Sequence, residues 1–149
     1  MAAVSSTSKR AMGVDLGERR IGLALSDPTR TVASPHEVLL RGVDHATDHR
    51  AIVAAATDAE ASVIVVGLPL TLAGELGPAA QKTLQEIEEL RAVAAPQDID
   101  VVAYDERLTT VTADRALDEA RMKREARRRV VDKLAAAVML QAWLGGPHQ

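Results

Sequence analysis

MGVDLGERRIGLALS, residues 12–26, alternates twice between bulky and small side chains, with a polar turn between the two runs. Side chains in a strand switch faces at each step. Met12, Val14 and Leu16 therefore share one face, and Gly13, Asp15 and Gly17 the other. After the polar turn of Glu18, Arg19 and Arg20 the alternation resumes, with Ile21, Leu23 and Leu25 opposed to Gly22, Ala24 and Ser26. A hairpin built this way has one face of bulky aliphatics and one nearly bare face carrying a single carboxylate. Glycine weakens a strand and marks places where another backbone or a ligand comes close. Asp15, set between two glycines, is thus a candidate for holding a metal against a bulky polyanion. The spacing alone equally suits a carboxylate that satisfies turn amides.

Outward from the hairpin, Asp27-Pro28 marks a turn, and residues 31–40 read as a third strand that Pro35 confines to a sheet edge. Asp44 can cap a helix reaching about Glu60, with Ile52, Val53, Ala56 and Ala59 inward. SVIVVG, residues 62–67, is a continuous β-branched run, the mark of a strand covered on both faces. A loop over residues 68–78 ends in Pro78, suited to the first position of a helix. That helix carries Leu84, Ile87, Leu90 and Ala94 on one side, and Pro96 stops it. Residues 100–104 form a short strand, Thr109 or Thr110 can cap a further helix, and a last helix runs to about Leu144 after a basic segment. This order predicts an α/β domain whose mixed sheet is antiparallel first and parallel afterwards, flanked by helices. We expect one domain over residues 11–145, with flexible tails at 1–10 and 146–149. In such sheets, sites form beyond the carboxyl ends of the strands.

Composition narrows the chemistry. Of aromatic residues only Tyr104 and Trp143 are present, which argues against base-stacking platforms. Cysteine is absent, which excludes disulfides, thiolate metal sites and a thiol nucleophile. The polar start of the chain has no signal-peptide core, and the longest apolar run, residues 134–144, is too short to span a bilayer. The expectation is a soluble cytoplasmic protein without membrane partners. The net charge is −3, yet residues 121–133 carry +5 and leave −8 for the remainder. A local excess of Arg121, Lys123, Arg124, Arg127, Arg128, Arg129 and Lys133 can attract a phosphate backbone, although a charge run is also the ordinary dress of a solvated helix.

Two further carboxylates stand out. From Asp132 the helical neighbours at i+3, i+4, i+7, i+8 and i+11 are Ala135, Ala136, Met139, Leu140 and Trp143, so an apolar stripe begins with an acid. A first-turn Asp favours the helix dipole, but an unpaired buried carboxylate costs several kcal/mol or takes up a proton unless a cation offsets it. At the end of the 100–104 strand, alternation sets Val102, Tyr104 and Glu106 on one face and Asp105 on the other, so one acid of the pair faces a site there. Should these acids converge with Asp15, their hard oxygens suit Mg²⁺ or Mn²⁺ rather than zinc.

Four blocks together, GVDLGERRIGLALSD, VGLPLTLAGELGPAA, YDERLTTVTADRAL and RRRVVDKLAAAVMLQAWL, resemble the YqgF (RuvX-like) family of the ribonuclease H-like superfamily. The resemblance spans about residues 11–145 without large gaps. Members are described as Holliday-junction resolvases and as nucleases that mature the 5′ end of pre-16S ribosomal RNA. The resemblance implies a ribonuclease H-like fold and carries the family's acidic positions onto Asp15, Glu106 and Asp132, selecting Glu106 over Asp105. Thr71 and Ala73 depart from the Asn and Asp that many members have there, so those positions offer no carboxylate.

The resulting expectation is a Mg²⁺- or Mn²⁺-dependent endonuclease on structured nucleic acid, with pre-16S rRNA preferred. Asp15, Glu106 and Asp132 hold metal. Arg19, Arg20, Arg107, Lys123, Arg124, Arg127, Arg128 and Arg129 contact phosphates. Alternatives are a resolvase of four-way DNA junctions, which needs a dimer where the rRNA nuclease can be a monomer or homodimer, and a non-catalytic nucleic-acid-binding factor. His45 and His49, spaced i, i+4, form a possible metal pair, but no third ligand and no HExxH pattern accompanies them in the sequence, which weighs against zinc.

Overall fold

The computed structural model describes residues 9–70, 73–105 and 124–146, with the side chains of residues 124–133 outside the description. Five strands form one mixed sheet: β1 (Arg10–Leu16), β2 (Arg20–Ser26), β3 (Ala33–Leu40), β4 (Ala61–Leu68) and β5 (Asp100–Asp105), in the order β3-β2-β1-β4-β5. Among the described residues three helices cover it: α1 (His45–Asp58), α2 (Pro78–Ala94) and α3 (Arg124–Leu144). The β1–β2 and β2–β3 pairs are antiparallel, and β1–β4 and β4–β5 are parallel. The mixed α/β architecture read from the sequence is therefore the one found.

The hairpin supplies both faces of the sheet as its alternation requires. Met12, Val14, Ile21 and Leu23 join Ile64, Val66 and Val101 in a core closed by Ile52, Val53 and Ala56 of α1 and Ile87 and Leu90 of α2. On the opposite face Ala11, Ala24, Val63 and Val65 pack under Ala136, Leu140 and Trp143 of α3. The bare face of the hairpin is what lets α3 lie so close. A Cβ on Gly13 would stand 2.9 Å from both the Ala136 carbonyl oxygen and Leu140 Cβ. The far end of α3 is pinned by Gln141, whose Oε1 accepts from Ala33 N (2.8 Å) and whose Nε2 donates to Thr31 O (3.0 Å).

Most predicted elements lie where the pattern puts them. Pro35 sits on edge strand β3, and the register slips there, Ala24 facing Pro35 while Leu23 faces Glu37. Asp44 caps α1, accepting from Thr47 N at 2.8 Å. Pro78 opens α2, and a 3₁₀ turn (Ala95–Gln97) containing Pro96 follows it. Three details differ. Arg10, assigned to the tail, begins β1 and donates from Nη1 to Ala59 O (3.2 Å). Ala59, expected inside α1, is its partly exposed C-cap. The basic stretch from Arg124 onward is part of α3 rather than a lead-in to it, because Arg, Glu, Ala and Lys are all good helix formers. The helix expected from Thr109 or Thr110 lies outside the described residues. Among the described residues, no helix is long and apolar enough to cross a membrane.

Candidate active site

Asp15 stands near the carboxyl end of β1, the central strand, partly buried and paired in register with Gly22. It shares the face of Ala11 and Gly13, the face that α3 covers. The parallel strands end at the same edge of the sheet. Val14 is level with Val66, the next residue on β4 is Gly67, and Gly67 is level with Tyr104 of β5. Tyr104 and Val102 pack with the α3-side cluster, whereas Val101 belongs to the opposite core. By the same alternation Asp105, the last residue of β5, faces away from α3. Glu106 itself, with Arg107 and Lys123, lies outside the described residues.

Asp132 is on α3, one turn before Ala136. The helix runs opposite to β1. Gln141 meets the start of β3, beside Ser26, whose hydroxyl accepts from Ala11 N (2.8 Å), while Ala136 lies over Gly13. Going back one turn on α3 covers about 6 Å. Going forward two residues on β1, from Gly13 to Asp15, covers about 6.6 Å. The backbone of α3 therefore carries position 132 toward the sheet end that holds Asp15. Arg124, Arg127, Arg128 and Arg129 occupy the preceding turns of the same helix.

Of the two hairpin arginines, Arg20 follows the alternation of Gly22 and Ala24 and so shares the Asp15 face. Its Nε is buried without a hydrogen-bond partner among the described residues. A buried donor left in that condition costs free energy unless a ligand or water completes it. Arg19 is exposed on the turn, and its carbonyl accepts from Arg41 N (2.9 Å).

Sequence reasoning missed what holds this turn. Arg41, just after β3, donates from Nε to Gly17 O (3.0 Å) and from its two terminal nitrogens to Glu86 Oε2 (2.5 Å) and Oε1 (2.9 Å). It also reaches Asp48 Oδ2 at 3.2 Å, and Asp48 Oδ1 accepts from Gly42 N (2.7 Å). His49 Nε2 lies 2.8 Å from Glu86 Oε2. The hydrogen bonds to Glu86 raise the pKa of Arg41 further. Burial pushes the Glu86 carboxyl up, but the hydrogen bonds from Arg41 and His49 outweigh it and hold the group below the usual carboxylate range. A signal for this network exists in the sequence. Asp48 and His49 stand four residues before Ile52 and Val53, and Glu86 stands four before Leu90, so all three fall on inward stripes. The network lies on the α1–α2 side of the sheet and fastens the turn following Asp15 from behind.

Residues 9–146 match the family described as "RuvX: Holliday junction resolvase". A protein of Roseiflexus sp. (strain RS-1) named "Putative pre-16S rRNA nuclease" is 44% identical over 141 residues, covering 95% of this chain and 97% of that one. One of the same name from Mycobacterium tuberculosis (strain ATCC 25177 / H37Ra) is 40% identical over 136 residues, covering 91% and 78%. Among solved structures, Thermus thermophilus RuvC in complex with a Holliday junction substrate superposes with a TM-score of 0.57 at 14% identity, covering 92% of this chain and 96% of that one. The yeast mitochondrial Holliday junction resolvase Ydc2 gives 0.56 at 10% identity, covering 92% and 78%. At such identities the two structures speak for the fold, and the fold is the resolvase-type, ribonuclease H-like one.

Proposed function

This chain belongs to the RuvX family, and from that premise we propose that it is a divalent-metal-dependent endonuclease that processes the 5′ end of pre-16S rRNA. The observation that carries the nuclease chemistry is the placement of Asp15 on the sheet face toward which α3 brings position 132 and its basic turns. The choice of substrate rests on the names of relatives 40–44% identical over nearly the whole chain. The single nuclease domain is taken to span residues 11–145.

Asp15, Glu106 and Asp132 are the residues that would hold the ion. Their donors are all carboxylate oxygens, the hard set that suits Mg²⁺ or Mn²⁺. When bound, such an ion supplies positive charge against the phosphodiester and Lewis acidity for activating water. The chain itself contributes binding and orientation. Arg20, whose buried Nε has no hydrogen-bond partner among the described residues, contacts a phosphate oxygen beside the scissile bond. Arg19, Arg107, Lys123, Arg124, Arg127, Arg128 and Arg129 bind the backbone further along, by charge rather than sequence. Gly13 permits α3 to approach β1, so the spacing of that helix from that strand is set by backbone packing.

The test uses labelled RNA spanning the mature 5′ end of 16S rRNA and a labelled four-way DNA junction, each with Mg²⁺, Mn²⁺ or chelator. Site-specific RNA cleavage that requires the ion and disappears in Asp15→Asn, with RNA binding kept, is the expected result. Binding without cleavage under every condition would instead favour a non-catalytic assembly factor. The family description and the resolvase-type fold support one second reading, junction resolution. It predicts paired nicks in the DNA junction and a sedimenting dimer.

A further inference from the structure

The sequence offers His45 and His49 as a pair without a third ligand; the tertiary structure supplies one. α1 and α2 pack side by side, and one ring nitrogen each of His45 and His49 and a carboxylate oxygen of Glu89, on α2, lie within 4.8 Å of one another. His45 Nδ1 is 2.8 Å from Glu89 Oε1, and the two imidazoles stand 5.5 Å apart centre to centre. We propose that His45, His49 and Glu89 form a second metal site, for a borderline divalent cation of the Zn²⁺ type, that clamps α1 to α2 on the side of the sheet opposite α3.

Three features argue for a site rather than a chance cluster. First, the donors suit the ion: two imidazoles one helical turn apart and one carboxylate are a zinc set that leaves a fourth position open. The side chains of His45 and Glu89 are 47% and 42% exposed, so that position is reached from solvent, and His45 lines a cleft of about 590 Å³ together with Asp44, Lys82 and Glu86. Second, the inner ligand is already oriented. His49 is 1% exposed, and its Nε2 meets Glu86 Oε2 at 2.8 Å. An ionised carboxylate only accepts, so Nε2 is the donor of this pair, and Nδ1 is the ring nitrogen left to meet a cation. A histidine held by a carboxylate in this way is the usual arrangement behind a metal ligand, and losing such a partner typically lowers metal affinity about 10–100-fold. Third, Glu86 is itself locked by the paired hydrogen bonds from Arg41. The ring of His49 is thereby fixed before any ion arrives, and the clamp ties into the residues that hold the Gly17 turn.

The site is separable from the carboxylate set around Asp15 by its chemistry, since imidazoles select Zn²⁺ where clustered carboxylates select Mg²⁺. The experiment is calorimetric titration of the full chain with ZnCl₂ in excess Mg²⁺, together with Co²⁺ absorption as a reporter of imidazole ligation. Wild type and Asp15→Asn should each bind one Zn²⁺ with equal affinity and show a raised Tm. His45→Ala and Glu89→Gln, both at exposed positions, should lose at least about tenfold in affinity, more than a supporting residue would cost, along with the Co²⁺ spectrum and the Tm rise. Affinity unchanged in both variants, or no Zn²⁺ binding by the folded wild type, would overturn the proposal. Binding that vanishes in Asp15→Asn would do so too, by assigning the ion to the other site.

Discussion

Gly13→Ala tests the link between packing and activity most directly. The added methyl would stand 2.9 Å from the Ala136 carbonyl oxygen and from Leu140 Cβ. Neither atom can swing aside by a rotamer change, because one is backbone and the other is fixed to it. Relief to a normal contact near 3.5 Å therefore requires α3 to retreat from β1 by roughly 0.6 Å. Overpacking of this kind costs about 1–3 kcal/mol. For a chain of this size that is a fall in Tm of about 2–12 °C. Because α3 carries position 132 and Asp15 lies on β1, the same retreat widens the proposed metal site. A 1 Å displacement at a reacting centre can cost about 100-fold, so a shift near half that size should cost about tenfold in cleavage rate, with RNA affinity little changed. Gly145→Ala is the control, since its added methyl meets nothing nearer than 3.8 Å and should alter stability by less than about 0.5 kcal/mol. Urea denaturation followed by single-turnover cleavage reads both quantities. A Gly13→Ala protein as stable and as active as wild type would refute the reasoning.

The buried ion pair gives a second test. Arg41 and Glu86 side chains are 16% and 7% exposed, and removing one partner, as in Arg41→Met, should destabilise by about 3–5 kcal/mol in urea, with Glu86→Leu added to it recovering part of the loss. Acid should act through the same carboxylate. The folded pKa of Glu86 is depressed, so its contribution is fully present above the unfolded value of about 4.3 and is lost as pH falls through the folded value. Stability curves taken between neutral pH and strong acid should show that loss in wild type and lack it in Glu86→Gln. At Asp27 the side-chain hydrogen bond from Thr29, with those from the Val32 and Thr31 amides, lowers the pKa to about 2. Carboxyl NMR titration should find that value, rising in Thr29→Val. Replacing Arg127, Arg128 and Arg129 with Ala should weaken RNA binding across sequences and flatten its log–log salt dependence by about 2–3; an unaltered slope would remove them from the interface.

How much could be read in the chain follows from how far each cause reaches. The β1–β2 hairpin, edge strand β3 and the doubly covered β4 are consequences of local alternation, Pro35 and a β-branched run. Each cause acts within a few residues, so the sequence carries it openly. The caps at Asp44 and Pro78 are equally local. Asp15 was legible as unusual for the same reason, a charge among glycines on an otherwise bare strand face. Asp132 was legible as an acid heading an apolar stripe.

Local pattern thus accounts for the set of elements, the two faces of the hairpin and the choice of odd carboxylates. Each of these is set by spacing along the backbone. Which elements meet is a property of the folded packing. It brought α3 antiparallel over Gly13, paired Arg41 with Glu86 across 45 residues, and set Glu89 beside His45 across 44. No local pattern encodes those meetings, because they depend on how the sheet is ordered and on which helix packs against which face. The physical reason is that burial of apolar surface chooses the packing, and the polar groups carried along must then find partners where the packing leaves them.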